Sequence, residues 1–128
     1  MPAELDGGWK LLRLNERFRF YKYLPQQRFK PHKGKFAVSF LITFISDGFV
    51  ELSNGEKTFF TVLFYLNEGF IGGATNMWTP NREKITVTPS IGSILVFNHK
   101  ILHEGETLQN GIKYVLRSDV FYVNKNIY

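Results

Sequence analysis

The residues of this 128-residue chain best suited to hold a metal are its three histidines, His32, His99 and His103. The chain has no cysteine, which excludes disulfides, thiolate zinc sites, iron–sulfur clusters and cysteine nucleophiles. Any metal must therefore be held by His, Asp, Glu or Tyr. His99 and His103 have the spacing of two ligands on one helix face, but residues 92–102 have the pattern of a strand and a turn. A helical zinc motif is therefore not expected here.

Two cations follow His103 at a spacing that suggests an anion site. Lys113 and Arg117 are four residues apart, and side chains at even separations lie on the same face of a strand. Two cations on one buried face need an anionic partner. The sequence therefore predicts a small site that combines His103 with these two side chains.

The pair Asn110-Gly111 is a hairpin signal between His103 and the two cations, and it predicts that their strands pair directly. A two-residue loop would place His103 opposite Ser118, with both cations on the other face. A three-residue loop with a bulge would place His103 opposite Arg117. A functional site at this hairpin needs the second register.

The elements that must position these residues are predicted to be strands. Thirteen phenylalanines and six tyrosines favour pleated structure. Short apolar or alternating runs are separated by turn residues, and no stretch shows a convincing helical period. We expect seven or eight strands in one all-β domain spanning residues 1–128, folded as an antiparallel sandwich or jelly roll. The expected strands include residues 18–23, 58–66, 84–88, 93–97 and 115–123.

Composition and charge exclude several classes of protein. The hydrophobic content of 44% is too high for a disordered chain. The longest apolar run, residues 36–45, is far shorter than the ~20 residues that span a bilayer, and residues 1–9 lack the pattern of a signal peptide, which favours a cytoplasmic location. The net charge of +5 is spread along the chain without a basic cluster, so nucleic-acid binding is not expected.

Four segments together resemble the Fe(II)- and 2-oxoglutarate-dependent dioxygenases, nearest the prolyl 4-hydroxylase branch. They are residues 65–75 (YLNEGFIGGAT), 89–99 (PSIGSILVFNH), 102–105 (LHEG) and 111–117 (GIKYVLR). The resemblance implies a double-stranded β-helix, which is a jelly roll. It also implies helices before the first jelly-roll strand, and only about ten residues precede Leu11 here, so these helices are expected to be missing or minimal.

The same resemblance assigns roles to residues of the site. It makes His32 and His103 ligands of Fe(II), and it gives Lys113, with Arg117 as second candidate, the distal carboxylate of 2-oxoglutarate. Tyr65 and Tyr23 match positions that hydrogen-bond this cosubstrate. Ascorbate is a further implied cofactor. The implied substrate is a peptidyl proline, a free amino acid or another small molecule.

The metal motif departs from the family pattern, because the residue two positions after His32 is Gly34 where the family has Asp. Taken literally, His-Lys-Gly resembles the halogenase variant, in which chloride replaces the carboxylate. Alternatively, residues 34–46 are an insertion or a translated intron. Their removal would join Lys33 to Asp47 and restore His-Lys-Asp, which makes Asp47 the third ligand. An insertion between two ligands should leave the chain poorly active or inactive.

A different class of function stays open from the sequence. A non-catalytic jelly-roll module could bind a small anion through Lys113 and Arg117 without iron. The feature that separates the two hypotheses is whether Asp47 comes within ligand distance of His32 and His103.

Overall fold

The protein is described here by a computed structural model that covers residues 1–26 and 48–127. These residues contain eleven strands and one short 3-10 helix. They are β1 (Glu4–Leu5), β2 (Trp9–Leu14), β3 (Arg19–Tyr23), β4 (Glu56–Tyr65), β5 (Ile71–Gly72), β6 (Thr75–Trp78), β7 (Lys84–Val87), β8 (Ile94–Asn98), β9 (Leu102–Gly105), β10 (Leu108–Asn110), β11 (Lys113–Asn124) and η1 (Lys125–Ile127).

The long strand β11 is the centre of a six-stranded antiparallel sheet. The sheet order is β1-β2-β11-β4-β8. Strands β2 and β3 both pair with the same edge of β11, β3 with its first half and β2 with its second half. A three-stranded sheet (β7-β6-β9) and a two-stranded sheet (β10-β5) complete the fold. The predicted all-β jelly roll is confirmed, and each strand range expected from the sequence has a counterpart in the structure. The expected number of seven or eight strands is too low, because the two- and three-residue strands β1, β5 and β10 are too short to show an alternating pattern.

The predicted hairpin between the strand of His103 and the strand of Lys113 is wrong. β9 pairs with β6, β10 pairs with β5, and β11 pairs with β2, β3 and β4. The turn itself exists, since Gly111 has a φ of 89° and a Cβ there would lie 2.9 Å from Cβ of Phe70. This turn carries the chain from one sheet to another, so neither predicted register occurs.

The outer face of the six-stranded sheet holds an aromatic cluster around Tyr122, which is fully buried. The Phe59 ring lies edge-on to Tyr122 at 5.6 Å, and Trp9 lies edge-on to Phe59 at 5.0 Å. Edge-to-face geometry of this kind is favoured by the ring quadrupoles. The Tyr122 hydroxyl donates to the carbonyl of Pro2 at 2.8 Å and so holds the N-terminal segment on the sheet.

A β-bulge in β4 at Phe59 changes the alternation of side chains. Val120 pairs with Phe60 and Phe121 with Thr58, so Phe59 has no partner across the ladder. The extra residue brings Thr58 and Thr61 to the same, inner face of the sheet. There their hydroxyls lie 2.9 Å from the two ring nitrogens of buried His99. His99 is therefore a hydrogen-bonded core residue, in agreement with the rejection of a helical zinc motif.

Thr58→Val should destabilise the fold, because it leaves one ring nitrogen of buried His99 and the amide of Val50 without the Thr58 hydroxyl as a partner. We expect the free energy of unfolding to fall by about 1–3 kcal/mol, measured by urea denaturation. The control is Thr88→Val, at an exposed position, which should change the free energy by less than about 0.5 kcal/mol. Equal losses in the two variants would contradict the role given to the Thr58 hydroxyl.

Candidate functional site

A cavity between the six-stranded and three-stranded sheets brings together five residues singled out from the sequence. Its lining includes His103, Lys113, Arg117, Tyr65 and Tyr23. The predicted sharing of one strand face by Lys113 and Arg117 is correct, and Val115 lies between them on the same face. Part of the predicted site lies outside the described residues, namely His32, Asp47 and the segment 34–46.

Lys113 lies at the deep end of the cavity and is only 6% exposed. Its ammonium donates a hydrogen bond of 2.6 Å to the carbonyl of Gly73 and lies 5.3 Å and 5.8 Å from the ring centres of Tyr23 and Tyr65. Among the residues that the structure describes, no carboxylate forms an ion pair with it. Burial lowers the pKa of Lys113 to about 8, and the more distant Glu106 partly opposes this shift.

The two tyrosines beside Lys113 are held in their neutral, hydrogen-bonding form. Burial, followed by the neighbouring Tyr21, raises the pKa of Tyr23 to about 12, although Arg117 acts in the opposite direction. Burial also raises the pKa of Tyr65, whose hydroxyl lies 2.7 Å from that of Thr75. At neutral pH both phenols can donate a hydrogen bond to an anion beside the Lys113 ammonium.

His103 comes from the opposite sheet, where β9 pairs it with Met77 of β6. Its Nδ1 lies 2.9 Å from the carbonyl oxygen of Ile101, which can only accept, so the neutral ring carries its proton on Nδ1. The lone pair then lies on Nε2. A hydrogen bond from one ring nitrogen to a carbonyl oxygen fixes the tautomer of metal-binding histidines in the same way. His103 therefore fits a metal ligand through Nε2.

The ring of Phe97 fixes the other side of this imidazole. The two ring centres are 4.6 Å apart and the planes are inclined by 55°.

Within residues 1–26 and 48–127, no group of three His, Asp or Glu side chains converges to hold a metal ion. A complete metal site on this cavity therefore needs ligands from the rest of the chain.

Sequence reasoning missed several residues that shape the cavity. Tyr21 lies on the same face of β3 as Tyr23, a position that the two-residue period could have indicated. Thr75 and Gly73 contact Tyr65 and Lys113 through hydrogen bonds between segments 10 and 40 residues apart, and no local pattern signals such contacts.

Comparison with solved structures places this fold beside two bacterial oxygenases. An oxidoreductase of the 2OG-Fe(II) oxygenase family from Burkholderia pseudomallei is 18% identical, with a TM-score of 0.57, over 89% of this chain and 44% of the other. A prolyl-4-hydroxylase from Pseudomonas putida is 19% identical, with a TM-score of 0.58, over 80% of this chain and 50% of the other. The chain thus spans about half the length of these proteins, and at such identities the likeness concerns the fold.

The family itself is shown by the sequence. No curated protein sequence matches this chain. The family profile of the 2OG-Fe(II) oxygenase superfamily, however, matches residues 18–118, a span that contains every predicted site residue. The chain belongs to the 2OG-Fe(II) oxygenase superfamily.

Proposed function

We propose that this chain is an Fe(II)- and 2-oxoglutarate-dependent dioxygenase domain that hydroxylates its substrate. The observation that carries the proposal is the Lys113 ammonium, which is buried in the cavity without a carboxylate partner among the described residues. A buried cation is costly unless it is paired, and a bound carboxylate would supply the partner. The cosubstrate 2-oxoglutarate carries such a group at its distal end.

Lys113 suits the distal carboxylate better than Arg117 does. Its ammonium is held by the Gly73 carbonyl between the two tyrosine rings, whereas Arg117 lies 3.8 Å from the carboxylate of Asp119. Tyr65 and Tyr23 stay protonated and can donate to the same carboxylate oxygens. The cosubstrate would then extend from this deep end of the cavity toward His103.

His103 would hold the metal through Nε2, together with His32 and Asp47. The Ile101 carbonyl and the Phe97 ring orient the imidazole. When bound, Fe(II) supplies the reaction in which O2 and 2-oxoglutarate give succinate and CO2 while a C–H bond of the substrate becomes C–OH. The apolar side chains of Leu63, Phe97 and Val115 would keep water away from the reacting groups.

In the described part of the chain, no helix is long and apolar enough to cross a bilayer. The substrate is either a peptide or a small molecule. Ascorbate would act as the reductant that keeps the iron in its Fe(II) state.

Lys113→Met should weaken 2-oxoglutarate binding by about 10- to 100-fold, because it removes a charge-assisted hydrogen bond from a buried site. Calorimetry with Mn(II) as an inert metal measures this. The affinity of the unmodified chain should also fall as the pH rises above about 8, since the Lys113 ammonium then loses its proton.

Lys113→Arg is the control for this pH dependence, because a guanidinium stays charged throughout that range. The fall in affinity above pH 8 should disappear in this variant even if its affinity at pH 7 is lower. Equal affinities of the Met variant and the unmodified chain would contradict the assigned role. If 2-oxoglutarate binds equally tightly with and without metal, the result would favour the non-catalytic jelly-roll module that binds a small anion.

We also propose that residues 34–46 separate two metal ligands. A chain that lacks them has Asp47 two positions after His32, as in the family motif. We expect this shortened chain to bind Mn(II) at least about tenfold more tightly than the complete chain, since it regains a ligand in the correct spacing. Titration followed by the electron paramagnetic resonance of free Mn(II) measures both affinities.

The matched control is Asp47→Ala in the shortened chain, which should lose the whole gain. If the complete chain already binds Mn(II) as tightly as the shortened one, the insertion does not disrupt the site. If Asp47→Ala leaves the gain intact, the shorter chain binds better for another reason and Asp47 is not the third ligand.

A further inference from the structure

A second cavity continues along the inner face of β11 beyond the first, and arginine dominates its lining. Four arginines, Arg13, Arg17, Arg19 and Arg117, face two carboxylates, Glu16 and Asp119. Arg117 lines both cavities. The two cavities therefore adjoin at this residue.

The alternation of side chains along β11 explains why the two cavities lie in line. Lys113, Val115, Arg117, Asp119 and Phe121 alternate along β11 on one face, and all five line one cavity or the other. At the usual rise of a strand, the Cα atoms of Lys113 and Arg117 are about 13 Å apart. A molecule bound at Lys113 would thus have a second cationic region beside it, further along β11 at Arg117.

The arginines of the second cavity differ in how far they are neutralised. Arg13 pairs with Glu56 at 2.5 Å and stacks on the Phe121 ring at 4.5 Å. In the described parts of the chain, Arg17 and Arg19 form no ion pair. Arg19 is the direct cross-strand partner of Arg117, and the Asp119 carboxylate lies 3.8 Å from Arg117. The positive charges of Arg17 and Arg19 are therefore less neutralised than those of Arg13 and Arg117.

The segment that carries these side chains is fixed to β11. The Ser118 hydroxyl donates to the carbonyl of Asn15 at 2.6 Å, and the Asn15 amide donates to the carbonyl of Asp119 at 2.7 Å. The Arg17 amide in turn donates to the side chain of Asn15 at 3.0 Å. The turn between β2 and β3 is therefore held in one conformation that presents Arg17 and Arg19 beside Arg117.

We propose that Arg17 and Arg19, which lie beside Arg117, bind a carboxylate of the substrate, so that the substrate is an anionic molecule. This inference rests on the proposed function, in which Lys113 holds the cosubstrate deeper in the fold. Guanidinium groups suit this task because they bind carboxylates in a planar, two-point geometry. The carboxylate can belong to a glutamate of a peptide or to a free acid.

The test compares two fluorescein-labelled peptides that differ only in charge, Gly-Glu-Gly-Pro-Gly-Glu-Gly and the same sequence with Gln for Glu. Fluorescence polarisation on the full chain, with Mn(II) and 2-oxoglutarate present, measures both affinities. We expect the acidic peptide to bind about tenfold more tightly, as the loss of a charge-assisted pair would predict. Competition by N-acetylglutamate at similar concentrations would identify a free acid as the source of the carboxylate.

Arg17→Gln and Arg19→Gln should each weaken binding of the acidic ligands about five- to tenfold while leaving 2-oxoglutarate affinity within twofold. Lys84→Gln is the control, because it removes one charge on β7 outside both cavities. Equal binding of the two peptides and no binding of N-acetylglutamate would overturn the inference, as would equal losses in Arg19→Gln and Lys84→Gln. A failure of both the unmodified chain and the chain lacking residues 34–46 to bind 2-oxoglutarate would instead overturn the proposed function.

Discussion

The central physical constraint in this structure is the burial of the Lys113 ammonium. A lysine that is 6% exposed, with a neutral carbonyl and two aromatic rings around it, reduces the stability of the folded chain while it stays charged. The lowered pKa expresses the same cost, because burial favours loss of the proton. A charged side chain so deeply buried does not stabilise the fold by itself, and under the proposed function a bound carboxylate offsets this cost.

The alternation of side chains along the strands, together with two sheets that face each other, brings the polar groups of the cavity together. β11 presents Lys113, Val115 and Arg117 on its inner face, while Tyr122 and its aromatic neighbours on the outer face stabilise the sheet. His103 reaches the same cavity from β9 in the facing sheet. The long strand thus carries the cationic groups of the cavity, and the smaller sheet contributes the histidine.

Much of this arrangement could be predicted from residue patterns. The common face of Lys113 and Arg117 followed from their spacing, and the strands followed from alternation and turn residues. The pairing of those strands did not. The Asn110-Gly111 turn correctly marks a chain reversal, but local sequence does not say which strand lies across it, and β11 pairs instead with strands from distant parts of the chain. The contact of Lys113 with Gly73 was equally inaccessible, since it depends on tertiary packing.

The most direct test of the central claim is an anaerobic titration of Fe(II) into the chain lacking residues 34–46, with 2-oxoglutarate present and absorbance recorded. The proposed site predicts a metal-to-cosubstrate charge-transfer band that needs both Fe(II) and 2-oxoglutarate and disappears in the His103→Ala variant. Absence of the band from both the shortened and the complete chain, each shown to be folded, would contradict the assignment of this cavity as a dioxygenase site.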